Sequence, residues 1–159
     1  QGLVLSESID MNLILANLKR FSIGQWLNKK MIKETCNENV NQIKIKTPSL
    51  KTIAGQLSGG NQQKVVIGKW INTDADIYIF DEPTRGIDVG AKVEVYNIMN
   101  KLVADGKCVI MVSSELPEVL GMSDRVVVMR EGRIMGEIER EGDKFTQENI
   151  MKSAWGGKL

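Results

Sequence analysis

With 159 residues, 42% of them hydrophobic, the chain is long enough for a domain with a real core. Its 21 basic and 20 acidic residues leave a net charge of +1, which argues against a general nucleic-acid binder. Cys36 and Cys108 lie far apart and supply no disulfide framework, as fits a reducing compartment. No signal peptide and no continuous apolar run of about 18 residues appears, so membrane association is expected to come through a partner.

In chain order, Asn12 to Lys19 and Gln25 to Ile43 read as amphipathic helices, with Ile14, Leu18, Leu27 and Met31 inward. Lys19, Arg20, Lys29, Lys30, Lys33, Lys44, Lys46 and Lys51 crowd this stretch against only Glu34 and Glu38. A solvated lysine face is the plain reading, and proximity to anionic head groups the sharper one. Pro48 lies in a loop, and a helix then begins after Leu57-Ser-Gly-Gly, with Asn61, Gln62, Gln63 and Lys64 as polar starters. Val65, Val66, Ile67, Trp70 and Ile71 form its apolar face. Ile77 to Phe80 suit a strand buried on both faces of a parallel sheet, stopped by Pro83. Ala91 to Ala104 should be a core-facing helix through Val95, Met99, Leu102 and Val103, ended by Asp105-Gly106. Lys107 to Val112 and Arg125 to Met129 read as strands, with Cys108 packed in the core. Glu131-Gly132-Arg133 turns into Ile134 to Ile138 as a hairpin. Thr146 is the expected N-cap of a closing helix carrying Ile150, Met151 and Trp155, the last as a packing anchor.

Two segments carry chemistry. Ser58-Gly59-Gly60 before a helix presents backbone N–H groups at the positive end of the helix dipole, a ready anion site, although a plain capped helix has the same look. Asp81 and Glu82 stand at the carboxyl end of a strand, where ligands of open α/β sheets bind. One acid there can hold Mg²⁺ through water while the other orients and deprotonates an attacking water. The bland reading is a solvated acidic turn.

Together these segments resemble the second half of an ABC-transporter ATPase domain. Leu57 to Lys64 match the family's signature motif, Ile77 to Glu82 its Walker B strand and catalytic glutamate, and Gly86-Ile87-Asp88 its D-loop. The likeness runs over nearly the whole chain. It is strongest to the second ATPase domain of the two-domain simple-sugar importers (ribose, galactoside, xylose) through Asn61 to Lys64, Asp81 to Lys92 and Ser113 to Glu118. It implies an α/β P-loop NTPase core with a helical subdomain over residues 1–56 and the C-terminal half of the ATPase core over 57–159. Ser58, Gly59, Gly60 and Gln62 would serve the γ-phosphate of ATP held by a facing domain. Asp81 would hold Mg²⁺, Glu82 would be the general base, and Asp88 would lie at the domain interface, with an N-cap of the following helix an equal alternative. The implied partners are a sister ATPase domain, membrane permease subunits touching the helical subdomain and, indirectly, an extracytoplasmic sugar-binding protein. The place of work would be the cytoplasmic face of the bacterial membrane, with no nucleic acid involved.

The chain departs from the family pattern twice. Ser114 stands where the family usually has a histidine, so the site built on Glu82 is expected to be slow or degenerate. No Gly-x-x-x-x-Gly-Lys-Ser/Thr stretch occurs, so the phosphate cradle is expected upstream, and the isolated chain is expected to be an inactive, self-associating fragment. The rival readings are a non-enzymatic module that uses the fold to dimerise and an ABC ATPase of DNA maintenance. The second lacks the sustained heptads expected between Leu3 and Pro48.

Overall fold

The computed structural model describes residues 2–156, which form two compact units, 2–78 with Thr84–Val109, and Ile79–Pro83 with 110–156. The first unit is mainly helical. Its elements are α1 (Ile9–Ile14), a 3-10 segment Leu15–Phe21, a short hairpin of β1 (Ser22–Ile23) and β2 (Trp26–Leu27), α2 (Lys29–Gln42), α3 (Gly59–Ile71) and α4 (Val89–Ala104). Helix α3 packs against α1 and α4. Ile9, Leu13, Ile14, Phe21, Cys36, Val65 and Val95 are fully enclosed in this unit.

The expected helices over Asn12–Lys19 and Gln25–Ile43 are corrected. Asn17, at φ −143° and ψ 52°, breaks the helical path, and β2 occupies Trp26 and Leu27, which the apolar spacing places in the second helix. Ile14 is buried as expected, but Leu18 and Leu27 are exposed, and α2 buries Ile32, Cys36 and Asn39 instead. Asn72 ties the helices together at the end of α3. Its Nδ2 donates to the Leu13 carbonyl at 2.9 Å, and its Oδ1 accepts from Asn39 Nδ2 at 2.8 Å. Buried amides whose donors and acceptors are both used fix one arrangement of the surrounding helices.

Strand β3 (Ile77–Asp81) pairs with β4 (Cys108–Val112). Cys108 N–H donates to the Asp76 carbonyl, and Glu82 N–H donates to the Val112 carbonyl, so the two strands run parallel. Burial of β3 on both faces is corrected: Tyr78 is buried, but Ile77 is 58% and Ile79 70% exposed. An apolar run sets what a strand tolerates, whereas its neighbours decide what is covered. Cys108 is likewise exposed rather than packed.

Cys36 is the buried thiol. Burial, with Asp10 adding to it, pushes its pKa up to about 12, and Sγ lies 3.8 Å from the Asp10 carbonyl. Only the thiolate reacts readily. In the folded protein a disulfide reagent should therefore modify Cys108 rapidly and Cys36 only after denaturant is added. Two equally fast thiols without denaturant would contradict this packing.

The second unit folds around an antiparallel hairpin of β5 (Arg125–Arg130) and β6 (Arg133–Glu139), covered by α5 (Leu116–Met122) and α6 (Gln147–Ala154). Val126, Val128, Ile138 and Ile150 form its core, with Leu116, Val119, Leu120 and Phe145 packed against it. Glu131 and Gly132 both take positive φ, as a tight hairpin turn of this hand requires. Thr146 caps α6 as expected, its Oγ1 accepting from Asn149 N–H at 3.3 Å. Trp155 is 76% exposed and is no packing anchor; the helix has already ended at Ala154.

Candidate nucleotide-facing residues

Ser58 is the N-cap residue of α3, yet its side chain makes no cap hydrogen bond; its Oγ accepts from Asn61 Nδ2 at 3.0 Å. Ser58 and Gly59 are exposed, so the start of the signature helix is open to an incoming anion. Gln62 is committed to the local backbone: its N–H donates to the Ser58 carbonyl, and its Nε2 donates to the Leu57 carbonyl at 3.0 Å. It shapes the turn and reaches no farther.

The two glycines are small for different reasons. A Cβ on Gly60 would stand 2.6 Å from Ala91 Cβ, because the first turn of α4 lies against it. A Cβ on Gly59 would meet only the Gly86 carbonyl oxygen and Ile87 Cγ2, each at 4.0 Å. Gly60→Ala should therefore destabilise the fold by about 2 kcal/mol through overpacking, whereas Gly59→Ala should melt within about 0.5 kcal/mol of the parent. Chemical denaturation of both variants checks the contrast. A functional defect in Gly59→Ala then reports on a ligand that needs the space.

Asp88 caps α4, its Oδ1 accepting from Ala91 N–H at 2.9 Å. The cap reading is thus realised, and Asp88 remains exposed. Ser58, Gly59, Gly60, Gln62 and Asp88 all belong to the first unit; Asp81, Glu82 and Ser114 belong to the second.

In the second unit, Asp81 is exposed at the end of β3, and the chain turns sharply at Glu82, whose φ is +46°. A left-handed conformation at a residue with a long side chain is strained and persists only where the surroundings hold it. Here Glu82 N–H donates to the Val112 carbonyl, and Oε1 accepts from Ser114 N–H at 3.0 Å. The carboxylate is thereby clamped to the end of β4 by a backbone donor. Ser114 reaches Glu82 through its amide, leaving its exposed side chain outside that bond. Neighbouring Ser113 donates through Oγ to the buried Glu118 and accepts from Glu115 N–H, which fixes the turn into α5.

Lys64 corrects the picture of a polar helix start. It is 1% exposed, its Nζ standing 2.6 Å from Glu94 Oε2 and donating to the Lys44 carbonyl at 2.6 Å. Nothing in the local sequence marked it, because Glu94 and Lys44 lie in other elements.

A glycine-opened helix, and a parallel strand ending in exposed Asp81 and a clamped Glu82, belong to an α/β protein of the ATP-binding-cassette fold. The chain superposes with a TM-score of 0.73 on an ATP-binding cassette of an ABC transporter in its ADP conformation, at 22% identity, covering 96% of this chain and 60% of that one. On a nucleotide-free cassette the TM-score is 0.75, at 23% identity, covering 93% and 60%. The chain belongs to the ABC transporter family, whose sequence pattern matches residues 5–85. It is 54% identical to the xylose import ATP-binding protein XylG of Moorella thermoacetica, over 99% of this chain and 31% of that protein. It is 52% identical to the ribose import ATP-binding protein RbsA of Bacillus subtilis, over 99% and 32%. The chain thus spans about a third of the length of these curated relatives.

Proposed function

We propose that this chain is part of the ATP-hydrolysing subunit of an importer for a simple sugar, and that it supplies the signature surface closing over ATP bound by a sister ATPase domain. The observation that carries the reading is the open start of α3, where Ser58 leaves the cap unmade and Gly59 leaves space. Donors aimed at a phosphoryl group stabilise the charge that spreads over its oxygens in transfer, which is where positioning yields rate. Ser58, Gly59 and Gly60 do this work, Gln62 holds the turn, and Asp88 serves the domain interface from its place as the α4 cap. Residues 1–56 act as the helical subdomain and connecting loop, one face of which meets the permease, and 57–159 as the C-terminal half of the ATPase core. An extracytoplasmic binding protein delivers the sugar, and the subunit sits peripherally on the cytoplasmic face.

Glu82 is the base for a water attacking nucleotide on its own domain, and Asp81 is the carboxylate for Mg²⁺. Among the described residues no group of three or more His, Cys, Asp or Glu could hold a metal. One or two carboxylates are what Mg²⁺ uses when phosphate oxygens and water complete its shell, so Asp81 fits a cation that arrives with the nucleotide. When bound, the ion neutralises phosphate charge; Glu82 accepts the proton of the water.

ATP affinity measured with and without the sister ATPase domain tests the reading. Tight, hydrolysis-competent binding should require the sister domain, and Ser58→Arg should abolish the gain. Equal affinity in both settings would overturn the composite site.

A further inference from the structure

The β1–β2 hairpin projects apolar surface where a water-facing turn would be polar. Gly24, at φ +60°, makes the turn with Gln25, and Ile23 pairs across the hairpin with Trp26. Ile23 is 68% and Trp26 82% exposed. The base is fixed: Phe21 is fully buried, Asn28 N–H donates to its carbonyl at 2.8 Å, and Ser22 Oγ donates to the Leu18 carbonyl at 2.7 Å.

The surroundings are mainly basic, with Glu34 and Glu38 following on α2. From Met11 to Lys33 the sequence holds Lys19, Arg20, Lys29, Lys30 and Lys33 and no carboxylate. Lys29, Lys30 and Lys33 occupy the first turns of α2, the end at which a helix dipole disfavours cations. That end has no acidic residue in its first turn and is capped by neutral Asn28, whose Oδ1 accepts from Met31 N–H at 3.1 Å. The three lysines are exposed, and no ion pair among the described residues engages them. They therefore weaken the helix start locally.

We propose that the β1–β2 hairpin and the first turns of α2 form a contact surface for an anionic lipid bilayer, with Ile23 and Trp26 at headgroup depth and Lys29, Lys30 and Lys33 among the lipid phosphates. An indole with one polar edge suits the membrane interface, and juxtamembrane lysines gain from the negative potential of the cytoplasmic leaflet. The choice of a bilayer over a permease loop rests on reading the chain as an importer subunit. Lys19, Arg20, Lys29, Lys30 and Lys33 outnumber the carboxylates Glu34 and Glu38 that follow on α2, and this cationic excess complements anionic lipid better than it does cytoplasmic loops that are themselves rich in Lys and Arg.

Flotation of the intact protein with vesicles of phosphatidylcholine, or of phosphatidylcholine with about 30% phosphatidylglycerol, tests this without any transport or ATPase readout. Binding is expected on the anionic vesicles only and should fall with added salt. Lys29→Glu/Lys30→Glu/Lys33→Glu should weaken it at least about tenfold and Trp26→Ala about threefold or more, with thermal melting unchanged at these exposed positions. If one variant melts early, the other decides. Equal binding to neutral vesicles, or binding indifferent to both variants, would place the adhesion on another apolar face and overturn the proposal. Binding only to vesicles that carry the permease would make the surface a protein interface. A loss of self-association in Trp26→Ala without vesicle binding in the parent would make it a contact between copies. Failure of the composite ATP site would leave the vesicle result standing, so the two readings fail separately.

Discussion

Glu82→Gln in the assembled importer should lower steady-state ATP turnover only about twofold, whereas the matching change in the sister domain should lower it about 10²-fold or more. The substitution is close to isosteric, and the side-chain amide oxygen can still accept from Ser114 N–H, so the clamp at the end of β4 survives. What disappears is the basic carboxylate. The expected asymmetry comes from the residue beside it. Where the family usually has an imidazole, this chain has Ser114, which holds Glu82 through its amide and has no ring to carry charge near neutral pH. On the proposed reading, a base positioned without that second group would serve a slow site, and removing it from a slow site would cost the assembly little. Phosphate release from transporters carrying each single substitution gives the comparison. Equal and near-complete loss from both would show that the Glu82 site is fully active and that the serine substitutes for the histidine.

What the sequence made legible depended on how local the cause was. The Glu131-Gly132 turn and its alternating flanks specify β5 and β6 within a few residues, and the α4 and α6 caps need only a side chain and an amide three positions on. The β1–β2 hairpin was missed because Ile14 and Leu18, and then Leu27 and Met31, follow a helical spacing that Asn17 interrupts through backbone geometry alone. Exposure of Ile77 and Ile79 was invisible for the opposite reason: coverage of a strand face is decided by distant chain. The site divides in the same way. Residue types and spacing singled out Ser58, Gly59 and Gly60 in one unit and Asp81 and Glu82 in the other as candidates, and only the family resemblance joined them. That Gly60 is kept small by Ala91, while Gly59 is open, needed the packing of α3 on α4.

Lys64→Ala should be among the most destabilising single changes in the chain, at about 3 kcal/mol, although Lys64 sits in a stretch that reads as polar surface. Its side chain is 2% exposed, and its ammonium is shared between Glu94 Oε2 and the Lys44 carbonyl, each at 2.6 Å. Lys44 itself is held at φ +53°, so the lysine also supports a strained turn after α2. Truncation removes the stem, leaves a void between α3 and α4, and strips a partner from a carboxylate and a carbonyl together. Lys64→Met separates these contributions. It keeps most of the stem's volume, and Glu94, whose side chain is 34% exposed, can recover water, so the cost should drop to about 1 kcal/mol. Urea denaturation of the two variants, with Glu94→Gln to complete a double-mutant cycle, distinguishes packing from charge. Lys64→Ala within about 0.5 kcal/mol of the parent would mean that the buried pair contributes nothing to the fold. The expected loss instead ties the signature helix to the α2 end and to α4. The first turn of α3, which the proposed function assigns to phosphate, would then depend for its position on a lysine outside that turn.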